Sequence, residues 1–275
     1  MSITKTKKRK CSGAITALAC LALLSLSSLP ASSSDWVVGA KSQARLLDGG
    51  VKDGIRLAGA QIRLSGQSIT YWRTPGDAGA PPVWSFAGSA NLGKAEPLYP
   101  QPQRIDEAGT EVFGYRGETL FPIEVTPLDA SKPVHLQVSL DYAVCETICL
   151  PVHAQMQIDL PAGGASADAE QIATAMREVP RQLSAAQTAP KLEITPVAGT
   201  QKQWLLRWRP DDLAGAARDL FVEAPPGFYV ESKQQGENQF LLTLVEHPAN
   251  KESPAAPLRL TLSGKNPVEF DLTLP

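Results

Sequence analysis

Two cysteines, Cys145 and Cys149, are the residues in this chain whose type and spacing most directly suggest chemistry. Residues four apart on an extended strand lie roughly 13 Å apart, whereas a disulfide needs Cα atoms within about 7 Å. A bond between them therefore requires the chain to turn within Glu146-Thr147-Ile148. Such a bond is a poor staple. The chain-entropy model gives about 2 kcal/mol for so short a loop, against more than 4 for a loop of a hundred residues. A strained small loop is also easier to reduce. The pattern thus points to thiol–disulfide exchange. It is Cys-x-x-x-Cys between strands, not the Cys-x-x-Cys on a helix that marks a thioredoxin-like site. No helix N-terminus is there to lower a thiol pKa, so the pair reads as a recipient of attack by a stronger thiol.

Two other readings compete. His153 stands four residues beyond Cys149, and two thiolates with an imidazole suit a soft ion such as Cu(I). The other two histidines, His135 and His247, have no neighbours at ligand spacing. A passive structural disulfide in a binding module is the third reading. No nucleophile elbow, zincin motif or phosphate loop occurs. No metal is assigned and no cofactor is implied.

The compartment follows from the N-terminus. Lys5, Lys7, Lys8, Arg9 and Lys10 precede an uncharged stretch from Gly13 to Leu29, and small residues follow. This is the pattern of a cleaved secretory signal over residues 1–33, cut after Ala31 or Ser33. Cys11 and Cys20 leave with it, so Cys145 and Cys149 are the cysteines of the mature chain. Removal takes five of 26 basic residues and none of 28 acidic ones, leaving 21 against 28, a net of −7. That charge argues against nucleic acid as a partner. Export to the periplasm is expected, where disulfides persist.

The elements that must hold the cysteines read as all-β. Gly54 to Leu57, Ala60 to Leu64 and Ser68 to Trp72 have strand character, and Leu120 to Val125 resumes it. The stretch from Thr74 through Pro102 is dense in prolines and reads as long and irregular. Leu136, Val138, Leu140, Tyr142 and Val144 alternate with polar or small residues. Beyond the cysteines, Val152, Ala154, Met156, Ile158 and Leu160 do the same. Two period-2 runs around a short connection predict an antiparallel hairpin with its apolar face inward. Residues 162–190 turn to Ala, Gly, Ser and Gln and read as a linker with one short helix over Asp168 to Val179, ended by Pro180. Residues 191–275 return to six or seven short strands, the pattern of a second small sandwich. The domains are thus expected at 34–161 and 191–275.

Several segments resemble a known family. Tyr71 to Pro82 (YWRTPGDAGAPP), Ser89 to Leu92, Tyr99 to Pro102, Phe113-Gly114-Tyr115, Phe121-Pro122 and Tyr142 to Pro151 are similar, in order, to the N-terminal immunoglobulin-like domain of the thiol:disulfide interchange protein DsbD and to ScsB-type proteins. The resemblance implies an immunoglobulin-like sandwich that carries the redox pair Cys145 and Cys149, with Cys149 forming the mixed disulfide. It implies an aromatic cap over the cysteines around Phe113 and Tyr115, with Tyr71 nearby. It implies an electron relay, not a self-sufficient enzyme. Its partners would be a membrane-embedded DsbD- or CcdA-like thiol reductase and periplasmic thioredoxin-like or disulfide-containing clients, with a link to cytochrome c biogenesis. The gap between the cysteines is shorter here than in the family's namesake, and the segment 191–275 carries no motif.

Overall fold

The computed structural model describes residues 1–2, 33–76, 78–199, 202–211, 215–249, 254 and 256–275. The expected signal segment lies outside the described residues except for Met1, Ser2 and Ser33. The described part of 31–275 is one compact unit.

Eleven strands precede the first helix: β1 (Val37–Gly39), β2 (Ser42–Lys52), β3 (Ile55–Leu64), β4 (Ile69–Gly76), β5 (Val83–Ser85) and β6 (Leu92–Pro97), then β7 (Gln103–Glu107), β8 (Thr110–Arg116), β9 (Glu118–Pro127), β10 (Val134–Cys145) and β11 (Cys149–Leu160). One sheet has the order β1-β2-β3-β9-β6, and the other β11-β10-β4-β8-β7 with β5 also on β10. The inward residues of both sheets form a single core that includes Leu46, Ile62, Trp72, Phe121, Ile123, Leu136 and Leu140. This is the immunoglobulin-like sandwich that the resemblance implies.

Then follow α1 (Ala169–Glu178), β12 (Arg181–Gln182), α2 (Ala185–Thr188), β13 (Leu192–Pro196), β14 (Gln203–Trp208), β15 (Ala217–Glu223), β16 (Tyr229–Gly236), β17 (Gln239–Glu246), β18 (Leu258–Gly264) and β19 (Val268–Leu272). They make two four-stranded sheets, ordered β12-β19-β18-β15 and β13-β14-β17-β16. A second core fills the space between them, with Trp204, Trp208, Phe240, Leu260 and Phe270.

Three features differ from the sequence reading. The two segments around Arg56 and Ile62 are one strand, β3, joined to β2 by a tight Asp53-Gly54 turn in which both residues have positive φ (51° and 80°). Asp-Gly is the hairpin signal for such a turn. The proline-rich stretch is not irregular throughout. It contains β5 and β6, and β6 is an edge strand where Pro97 withholds no ladder donor from a second neighbour. The helix of the linker is docked: Ile172 is buried on β2, β3 and β9 against Leu47, Leu57 and Leu120. Further along the same stretch, β12 pairs with β19 of the second sandwich.

The sandwiches are keyed together by one strand. Phe221 of β15 belongs to the first core, with its ring 5.0 Å from Phe113 and 5.9 Å from Trp72, both edge-on. Truncating a fully buried phenylalanine costs about 3–5 kcal/mol. Phe221→Ala is therefore expected to lower the unfolding free energy of the first sandwich by that margin, read from urea titration by tryptophan fluorescence. A loss under about 1 kcal/mol would show that the key is not energetically important.

Candidate functional site

The hairpin of β10 and β11 builds the site. Its register runs from Val134 opposite Leu160 to Cys145 opposite Cys149 without a slip. The expected inward residues on both strands are buried. Cys145 follows Val144 and so points to the opposite face of the sheet. There it is 1% exposed and packs among Ile69, Tyr71, Ile105 and Val112 in a small cluster outside the main core. The chain turns over Glu146-Thr147-Ile148, and Cys145 and Cys149 form a disulfide with Cα atoms 4.1 Å apart. Lys41 pairs with Glu146 at the turn and holds that carboxyl below its usual range. Ile148 is 67% exposed at the tip, and Cys149 is exposed beside it.

The two sulfurs thus differ. Cys145 is walled in, and Cys149 faces solvent. An open apolar groove of about 540 Å³ runs from Cys149 along Pro151 and Val152, with Ala80, Pro81 and Val83 on its other wall.

Two side chains touch the sulfurs from neighbouring strands. The Tyr71 hydroxyl on β4 lies 2.9 Å from Cys145 Sγ, 3.4 Å from Cys149 Sγ and 2.8 Å from Glu107 Oε2. The phenol has one proton. A carboxylate is the stronger acceptor, so Tyr71 donates to Glu107 while the disulfide is intact. Glu107 ends β7 at a two-residue turn in which Ala108 and Gly109 both have positive φ (52° and 86°). Its Oε1 is 3.6 Å from Cys149 Sγ. In the disulfide neither of those atoms carries a proton. The contact becomes a hydrogen bond only when Cys149 is a thiol.

Tyr71 is fixed from both sides. Gly114 stands opposite it on β8, where an added Cβ would come within 2.2 Å of the Thr70 carbonyl oxygen. Gly79 (φ 102°) lies over the ring, where a Cβ would come within 2.4 Å of it. Burial first, then the hydrogen bond to Glu107 and its charge, push the Tyr71 pKa well above its ordinary value. The phenol therefore stays protonated across the range in which thiols titrate.

The other expected cap residues lie elsewhere. Phe113 and Tyr115 alternate with Gly114 and so point into the sandwich core. Phe113 packs on Phe221, and Tyr115 packs on Phe121 and donates to the Pro100 carbonyl at 2.8 Å. The structure brings neither to the sulfurs. The cover there is Tyr71, Glu107 and the loop through Gly79. Glu107 was missed in the sequence because acidic residues are plentiful and no spacing singles it out. Its place at a hairpin tip, just before Ala108-Gly109, is a signal that could have found it.

His153 is also placed away from the sulfurs. It stands opposite Asp141 and pairs with it at 2.6 Å, four residues along β11 and so roughly 13 Å from Cys149. It cannot share a metal with the cysteines. Among the described residues, the group with converging donor atoms is Glu107, Cys145 and Cys149, within 4.8 Å of one another. While the sulfurs are bonded to each other, neither offers the thiolate that a soft ion takes.

Fold and site together define a β-sandwich domain with an accessible disulfide at one end, one sulfur open to attack and the other buried among apolar side chains beside the Tyr71 hydroxyl. Residues 44–161 match the family model described as thiol:disulfide interchange protein DsbD, N-terminal. Among solved structures it is similar to the N-terminal periplasmic domain of ScsB from Proteus mirabilis, with a TM-score of 0.66 and 20% identity over 88% of this chain and 98% of that one. That likeness extends well past the matched segment and shows that the fold of both sandwiches is shared. No curated protein matches the chain.

The geometry gives Glu107 a definite effect. A carboxylate this close to Cys149 opposes thiolate formation, because two like charges about 4 Å apart repel by about 4 kcal/mol at an effective dielectric of 20. Removing that charge with Glu107→Gln is expected to lower the Cys149 thiol pKa by about one unit or more. Alkylation of the reduced protein at pH 7 then becomes faster. An unchanged pH profile of alkylation would contradict this account.

Proposed function

We propose that this protein is an exported thiol–disulfide exchange component of the periplasm. Its Cys145–Cys149 disulfide accepts electrons from a membrane-embedded thiol reductase of the DsbD or CcdA kind. It passes them to disulfide-containing or thioredoxin-like clients, among them proteins of cytochrome c maturation. One observation carries the reading: an exposed Cys149 sulfur bonded to a buried Cys145 sulfur across a three-residue turn.

The chemistry balances as a two-step exchange. A partner thiolate attacks Cys149 Sγ, forming a mixed disulfide and breaking the bond to Cys145. Cys145 leaves with the electron pair as a thiolate, 2.9 Å from the Tyr71 hydroxyl, which is placed to donate to it. A second partner thiol then attacks the partner's own sulfur. The partner is oxidised to a disulfide and Cys149 is released. Two electrons now reside here as a dithiol, with protons taken up from solvent. Transfer to a client runs the same steps in reverse, with Cys149 attacking.

Several features support this direction of attack. Cys149 opens onto the apolar groove, which gives a partner segment a surface to lie against. As the Cys145 thiolate forms, the neutral Tyr71 hydroxyl 2.9 Å away can turn its proton from Glu107 to the sulfur, which offsets part of the cost of burying that charge. A loop of this size adds only about 2 kcal/mol of stability, so a purely structural role has little to recommend it. Among the described residues, no helix is long and apolar enough to cross a membrane.

In Cys145→Ser the lone Cys149 thiolate can attack the disulfide of an oxidised partner, releasing one partner thiolate, and Cys145 is no longer present to resolve the mixed disulfide. In cells, this variant is expected to accumulate a reductant-sensitive adduct through Cys149 with a membrane protein. The wild type and a Cys145→Ser/Cys149→Ser variant should not. If no adduct forms, and if the wild-type disulfide stays oxidised against a poise near −300 mV as structural bonds do, the exchange reading fails.

A further inference from the structure

The second sandwich carries no cysteine and does not reach the sulfurs, yet its strand β15 holds both strands that do. We infer that the second sandwich sets the reactivity of the disulfide, with Arg104 and Asp219 as a positioning pair that fixes Glu107. The inference deepens the proposed exchange function and rests on it.

The argument starts at β7. This strand has five residues and is the outer strand of its sheet, bonded only to β8. A short edge strand is held weakly by its own ladder. Its residues alternate between two faces. Ile105 and Glu107 face the disulfide, and Arg104 faces the other way, over the rings of Phe113 and Phe221 at 5.1 and 5.6 Å. There its guanidinium is fully engaged. Nε donates to Asp219 Oδ2 and Nη2 to Asp219 Oδ1, both at 2.9 Å. Nη2 also donates to the Leu220 carbonyl and the Ser232 hydroxyl, both at 3.0 Å, and Nη1 to Glu111. The parallel pair to Asp219 is the bidentate fork in which arginine is most directional.

The same strand grips β4. Arg73, two residues after Tyr71, donates to both oxygens of Glu223 at 3.1 Å through Nε and to Oε1 at 2.6 Å through Nη2. It also pairs with Glu269. The Thr74 hydroxyl donates to Glu223 at 2.7 Å. Asp219, Phe221 and Glu223 are alternate residues of β15, and each engages the first sandwich. One face of one strand thus fixes Arg104, three residues before Glu107, and Arg73, two residues after Tyr71.

These links go beyond what docking requires. Phe221 already joins the cores, and apolar contact has no preference for the exact height of an edge strand. A forked arginine does. If the link between Arg104 and Asp219 is lost, the tip of β7 is free to move away, and Glu107 no longer raises the thiol pKa of Cys149.

The test is the pH profile of Cys149 alkylation in the reduced mature protein, quantified by mass spectrometry, alongside urea unfolding. Asp219→Asn is expected to lower the apparent Cys149 pKa by about half a unit or more, the same direction as Glu107→Gln. The double variant should shift no further than Glu107→Gln alone, because both changes act through one carboxylate. Arg104→Lys keeps the charge without the fork and serves as a milder second variant, with a smaller shift expected. If Asp219→Asn and Arg104→Lys lower stability but leave the profile superposed on the wild type, the second sandwich is only a scaffold and the inference is overturned. Glu107→Gln separates the two levels. If it moves the profile while the Asp219 and Arg104 variants do not, the positioning inference fails alone. If it leaves the profile unmoved, the site chemistry fails and the inference with it.

Discussion

The structure depends on the alternation of β10. Along this strand every second residue enters the core from Val134 to Val144, and that phase leaves Cys145 on the outer face. Register in a sheet buried on one side is strongly fixed, because a slip of one residue would turn every side chain over. The twelve paired positions of β10 and β11 therefore act as a ruler. They set Cys145 opposite Cys149, leave three residues for the turn, and determine which sulfur is covered. The disulfide does not hold the hairpin together. The hairpin holds the disulfide, and can do so whether the bond is open or closed.

The polar groups around the sulfurs divide the work unequally. Tyr71 is neutral and buried and can stabilise a departing Cys145 thiolate without repelling it. Glu107 is charged and lies on the side of the exposed sulfur, where it favours the protonated thiol. In the proposed exchange, this division favours opening of the bond from the Cys149 side by a stronger nucleophile and makes the reduced pair a slow initiator. A thiol with a raised pKa is a small thiolate fraction at neutral pH but intrinsically more nucleophilic once formed. The site is thus suited to passing electrons within an engaged complex more than to reacting with whatever disulfide drifts past.

The parts of this arrangement that were legible in the sequence share one property: they are local. The alternation on both sides of the cysteines gives the hairpin and its core face, and the spacing of Cys145 and Cys149 gives the turn. The helix over Ile172 has its own period. The cap was not legible, because it is made by register between distant strands. Phe113 and Tyr115 look like shielding aromatics beside a cysteine pair, but a strand shows only every second residue to a given face. Gly114, between them, lies on the face that carries Tyr71. Glu107 has no sequence mark of its function, and neither does Asp219. Each acquires its role from what the fold brings beside it. Edge strands such as β6 were missed for the opposite reason: half their surface is solvated, so no apolar pattern is required of them.

Why two sandwiches should be joined by buried charge, when apolar contact would serve, is a question of energetics. Arg73 and Arg104 are each held largely out of solvent by carboxylates from β15 and its neighbours. Pairs of this kind roughly break even against apolar residues of equal volume, because desolvation offsets the attraction. Their advantage is directional. Phe221 between Phe113 and Trp72 supplies adhesion, but a ring in an aromatic pocket tolerates sliding. Forked arginines at two places along β15 tolerate little, and they lie on the strands that carry Tyr71 and Glu107. The joint between the sandwiches is thus built where small displacements matter most to the sulfurs. A client or reductase that touched the second sandwich would press on the same strand.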